Sequence, residues 1–159
     1  MTQSFSTVDL MNAVIDIIIK AAGIKTVYAN SSKPRPEMPY AAIVGVNMHH
    51  NITVDVIEHE LFTSGVQIEV HSSNPYDAQD RLNLIKKTLY RQDSTDKLNA
   101  ISASLYNVDD TVDNTILANQ TYDYNFLFTA TFLVRDDYTE PEEFKTGIDS
   151  ADVADGSKK

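Results

Sequence analysis

The residues of this chain with a claim to chemistry are four histidines and a few spaced carboxylates. His49 and His50 invite a metal reading, with His59 and His71 further along. Adjacent strand residues point to opposite faces, so His49 and His50 cannot readily share one ion. No HExxH or His-x-His spacing is present, and solvated or interface histidines fit better than ligands. Asp109, Asp110 and Asp113 crowd as calcium ligands would, yet the glycine and terminal glutamate of an EF-hand loop are missing. A solvated turn is the better reading. Glu58 and Glu60 alternate onto one strand face and could pose as an acid/base pair. On an exposed hairpin such carboxylates serve solubility or contact. The glycines stand alone, without the clustering of a phosphate loop. The chain has no cysteine, which removes disulfides, thiolate metal sites and a cysteine nucleophile. Neither a catalytic group nor a cofactor or metal site emerges, and the expectation is a protein that is not an enzyme.

Two short matches carry little weight. Pro36-Glu37-Met38-Pro39 has the PxxP form of an SH3 ligand, but it sits inside a folded region and runs straight into a strand. Asn30-Ser31-Ser32, Asn51-Ile52-Thr53 and Asn119-Gln120-Thr121 fit the glycosylation sequon, with no secretory signal ahead of them.

The elements that must position these residues follow from composition and pattern. A length of 159 residues, 42% hydrophobic and 23% charged, suits one soluble domain able to bury a core without metal or disulfides. The apolar run Val14 to Ile19 is broken by Asp16 and is too short to span a bilayer. The expectation is a protein made in the cytoplasm, with no membrane partner. A net charge of −10 opposes a nucleic-acid grip, and many of the carboxylates fall between Asp136 and Asp155. Residues 138–159 therefore read as an acidic, flexible tail on a domain of residues 1–137.

Ser6 or Thr7 can cap a first helix, and Gly23 can end it. Its apolar residues cover most of the circumference and leave Asn12, Asp16 and Lys20 as a polar stripe, so it should be buried on more than one side. A short strand over Lys25 to Asn30 comes next. Pro34-Arg35-Pro36-Glu37-Met38-Pro39-Tyr40 is a stiff, extended lead-in, because proline fixes φ and restrains the residue before it. Tyr40 to His50 and Glu58 to His71 alternate as two strands of a long hairpin whose polar outer end, His49 to His59, should project. Asn74-Pro75 starts an amphipathic helix that buries Ala78, Leu82, Ile85 and Leu89. Leu98 to Asn107 reads as a strand and Asp109 to Thr121 as a polar stretch. Tyr122 to Val134 is the clearest strand, with Phe126, Phe128 and Phe132 on its core face. The expected fold is α+β: a mainly antiparallel sheet of four to five strands, with two helices packed on it and a long projecting hairpin.

An apolar N-terminal helix, the Pro-Arg-Pro…Pro-Tyr lead-in, a long hairpin, the Asn-Pro-Tyr-Asp-Ala helix start and an aromatic last strand together resemble the neck or tail terminator proteins of tailed bacteriophages. The resemblance covers roughly residues 7–137 and leaves the acidic tail aside. It implies a structural virion protein of a contractile tail, assembled in the host cytoplasm as a homohexameric ring. Such a ring caps the tail tube and sheath at the head-proximal end and joins the head connector, while genomic DNA passes the lumen without specific binding. The inter-subunit or tail contacts would then fall on His49, His50, Asn51, Thr53, Asp55, Glu58 and His59. Another neck or head-closure subunit fits the same pattern, and a small ligand-binding α+β domain is the alternative of a different class.

Overall fold

A computed structural model of the protein describes residues 4–54 and 57–143. Ten elements follow in order: α1 (Thr7–Ala22), β1 (Lys25–Tyr28), β2 (Tyr40–Asn51), β3 (Leu61–Ser72), α2 (Pro75–Leu89), α3 (Gln92–Asn99), β4 (Ala103–Val108), β5 (Val112–Asp113), β6 (Ile116–Ala118) and β7 (Thr121–Arg135). The fold is α+β, with a sheet of order β1-β2-β3-β7-β4 and the short β5 and β6 also paired to β7. Every pairing is antiparallel except β1 with β2.

Local chemistry explains the helix ends. The Ser6 hydroxyl accepts from Asp9 N, and Gly23 takes φ 62 while its N–H returns to Ile19 O. A left-handed residue there costs glycine little. Asn74 Oδ1 accepts from Tyr76 N and Asp77 N with Pro75 at the first helical position. The two helices are joined through Arg81, whose guanidinium is held by Asp77 and donates to Ala22 O at 2.7 Å. That bond satisfies one of the orphan carbonyls that end α1.

One face of the sheet carries the core. Phe62, Val66, Ile68 and Val70 of β3 lie opposite Val134, Ala130, Phe128 and Phe126 of β7, and all are buried. Leu10, Val14 and Ile18 of α1 and Ala78, Leu82, Ile85 and Leu89 of α2 complete it. The aromatic strand and the one-faced second helix thus lie where their alternation and spacing put them.

Three expectations are corrected. There are three helices and seven strands among the described residues, against two and four to five expected. The stretch beginning at Leu98 opens as the end of α3, turns at Ser102 (φ 60) and becomes strand only at Ala103. This helix has no side-chain cap at Arg91 and buries only Ser94 and Leu98, too few apolar positions to show a period. The stretch Asp109 to Thr121 is not merely polar: it holds β5 and β6.

The β2–β3 hairpin is part of the sheet, because β3 pairs with β7 along its whole length, from Leu61 opposite Arg135 to Ser72 opposite Tyr124. The register of β2 slips between Val46 and His50. Gly65 is required beside that slip, since a Cβ there would collide with the Val46 carbonyl oxygen.

Candidate functional site

The described residues expected to make contacts lie together at the β2–β3 connection, and the side chains of His49, Thr53 and Glu58 are bonded inside the subunit. His49 Nε2 meets Glu60 Oε1 at 2.7 Å, and its ring stacks on Phe62 with centroids 3.9 Å apart. Thr53 Oγ1 accepts from Leu61 N, and Glu58 Oε1 accepts from Glu140 N at 2.7 Å. His59, at φ 51, donates its N–H to Tyr138 O, while Asp136 N donates to Glu60 O. The segment after β7 thereby straps the loop down. His50 and Asn51 stay exposed on the ladder opposite Thr63 and Phe62. Asp55 lies outside the described residues. The loop's outward chemistry is apolar instead: Ile52, Val54 and Ile57 are 52%, 100% and 55% exposed. Their spacing within a strand connection, where little can cover them, was the available signal.

A second apolar projection sits at the other end of the central strands, about 35 Å away along β3. The ladder between β3 and β7 ends at Tyr124, and β7 residues 121–123 pair only with β6. The β6–β7 hairpin therefore extends past the sheet. Asn119 and Gln120 turn it with φ 51 and 67, the two positive values of a type I′ turn whose twist suits paired strands. Ile116, Leu117 and Tyr122 are all more than half exposed, and Tyr122 stacks on Tyr124. Sequence reasoning missed this hairpin because aspartates and asparagines surround the run Ile116-Leu117-Ala118.

At the root of that hairpin lies a polar cluster on the sheet face turned away from the helices. His71 Nδ1 meets Asp123 at 2.9 Å and Nε2 meets Glu69 at 3.1 Å, with the Tyr40 ring stacked 4.6 Å from the imidazole. Burial opposes the charged ring, but the bonds to Glu69 and Asp123 and their charges outweigh it and raise the His71 pKa. The bond from His71 lowers Glu69, against the opposing effect of burial. Burial first, then the Asp123 charge, raises Tyr40. The two carboxylates occupy different nitrogens of one ring, so they do not converge on an ion. Among the described residues no three His, Asp or Glu side chains form a possible metal site. Among them, too, no helix is long and apolar enough to cross a membrane.

The sheet thus carries exposed apolar side chains at both ends of its central strands. Comparison with known families bears on this directly: the family described as phage neck terminator protein matches residues 8–159. The chain belongs to this family. Neck terminators are structural proteins of the bacteriophage neck and tail, which places the chain in the virion with other tail and head proteins as partners. The match continues through the acidic C-terminal residues that the resemblance had left aside. No curated protein matches the chain.

Proposed function

We propose that this neck terminator assembles as a ring, a hexamer, on the head-proximal end of the tail. There it caps the tube and sheath of a contractile tail, stops their polymerisation and presents its other face to the head connector. The observation that carries this reading is the pair of exposed apolar projections at opposite ends of β3 and β7, the 52–57 loop and the β6–β7 hairpin. Groups of this kind, outside a core already complete, are what an assembling subunit keeps for its neighbours.

In this reading the loop end meets the tail, with His50 and Asn51 beside Ile52 and Val54, and His49, Thr53, Asp55, Glu58 and His59 shaping the contact. DNA passes the lumen without sticking if that wall is acidic, a consequence of like charge. The chain divides into a domain of residues 1–137 and an acidic tail of 138–159. Tyr138 and Glu140 at the junction lie on the loop, whereas the expected flexibility concerns a stretch that, from 144 onward, lies outside the described residues. Electron microscopy of the purified protein, alone and mixed with tail tubes, tests the proposal. Rings seated on one tube end are expected. A protein that stays monomeric and leaves tubes uncapped would refute it.

A further inference from the structure

The two side edges of the sheet carry opposite chemistry at the same height. Lys25 lies opposite Tyr40, Tyr40 opposite His71, and His71 opposite Asn125, so β1 is level with β7 residues 125–128. On the far edge β5 pairs with Phe126 and Leu127, the same level.

Beside β1 the proline segment folds back, and the Arg35 guanidinium donates to the carbonyls of Tyr28 and Ala29. The result is a groove of about 590 Å³ with apolar walls from Val27, Tyr28 and Pro34 and cationic Lys25, Lys33 and Arg35. None of these three cations lies within ion-pair distance of a carboxylate among the described residues. The far edge is the complement. No Lys or Arg occurs from Ile101 to Val134. Asp109, Asp110 and Asp113 are exposed there beside Val112, Ile116 and Leu117. The cation that α2 brings to this edge, Lys86, is bonded to Thr111.

We propose that the β5–β6 edge and hairpin of one copy dock in the β1 groove of the next copy. Groove on groove would oppose cation to cation, and hairpin on hairpin aspartate to aspartate, so like charge disfavours a two-fold contact. Only a head-to-tail contact matches sign and apolar surface together. Repeated with a constant rotation that divides a full turn, such a contact closes into a ring. The proposal rests on the ring reading above and names the surfaces that join its subunits.

The absence of native cysteine makes the test direct. Full-length protein carrying both Val27→Cys and Leu117→Cys is mixed with tail tubes and treated with a short bismaleimide. A ladder of covalent oligomers ending at the ring size is expected, with nothing above a dimer from either single variant. Rings on the tubes without a ladder, or Leu117→Cys joined only to a tube subunit, would overturn the groove-and-hairpin contact and leave the ring standing. Absence of rings with the unaltered protein would overturn both. Charge reversal gives a second reading. Lys25→Glu with Lys33→Glu should weaken assembly about tenfold or more, and Asp110→Lys with Asp113→Lys in the same chain should restore it. Assembly indifferent to the first pair of changes would overturn the contact.

Discussion

The 52–57 loop and the β6–β7 hairpin are both exposed and both apolar at their tips, yet they are held in opposite ways. The loop is stitched from several sides: His49 to Glu60, Thr53 to Leu61 N, Glu58 to Glu140 N and His59 to Tyr138 O. The hairpin hangs on one ladder of three pairs and a turn, with the Asp123–His71 contact at its root. Some polar groups that look available for contact in a sequence are bonded within the fold, as His49, Thr53 and Glu58 are, whereas His50 and Asn51 stay exposed. The proposed contacts rest chiefly on the exposed apolar side chains of the two regions. The difference also sorts mechanical roles, a braced platform at one end and a thin prong at the other.

The comparison depends on the sheet that carries both regions, and Phe128→Asp should remove it. An unpaired carboxylate at a position 1% exposed costs several kcal/mol, and soluble folded protein should be lost in expression and circular dichroism trials. Wild-type-like melting would contradict the placement of β7. Next in size, Gly65→Ala should lower stability by about 1–3 kcal/mol in urea denaturation, because the new Cβ meets the Val46 carbonyl beside the slip leading to the loop. Hairpin contacts should survive in whatever fraction stays folded.

The third prediction concerns the hairpin's root. The raised His71 pKa means that its ion pairs stabilise the fold fully below its ordinary value of 6.5, and the contribution fades as pH rises through the folded value. Glu69, lowered, contributes fully above its ordinary 4.5 and fades as pH falls through its folded value. Both are present between about 4.5 and 6.5, where thermal stability should be greatest. His71→Gln should flatten the alkaline limb at a cost on the order of 1–2 kcal/mol inside that window. Identical melting profiles for the two proteins would dismiss the cluster as a pH-dependent tie.

The smallest changes in stability sharpen the contrast most. Glu58→Ala removes a tie between loop and strap and should cost about 1 kcal/mol, loosening the loop that meets the tail while leaving the groove-and-hairpin contact between subunits intact. Leu117→Ser, 63% exposed, should leave stability within about 0.5 kcal/mol of the original but weaken association, read by analytical ultracentrifugation with tail tubes. The reverse pattern would exchange the roles of the two regions.

How far the sequence reached depended on how many residues repeated a signal. The first helix, the Asn74-Pro75 start, the lead-in to Tyr40 and the aromatic strand each rest on several agreeing positions, and each lies where its pattern put it. The eight-residue α3 and the two- and three-residue β5 and β6 offer no full period, so only the folded chain reveals them. The strand connection at residues 52–57 is legible in its polarity, but whether His49 or Glu58 is free for a neighbour depends on Glu60 and Glu140. Sequence distance hides the second of these partners.

One topological feature bears on the order of events during synthesis. Strand β7 pairs with β3, β4, β5 and β6, and it is the last of the described strands in chain order. A nascent chain that has not yet released residues 121–135 from the ribosome has β3 with one bare edge and no partner for the three short strands. The prong cannot exist before the strand that also closes the core. On the proposed groove-and-hairpin contact, competence to join a neighbour would arrive together with completion of the fold, and an unfinished subunit would lack the surface to enter a ring.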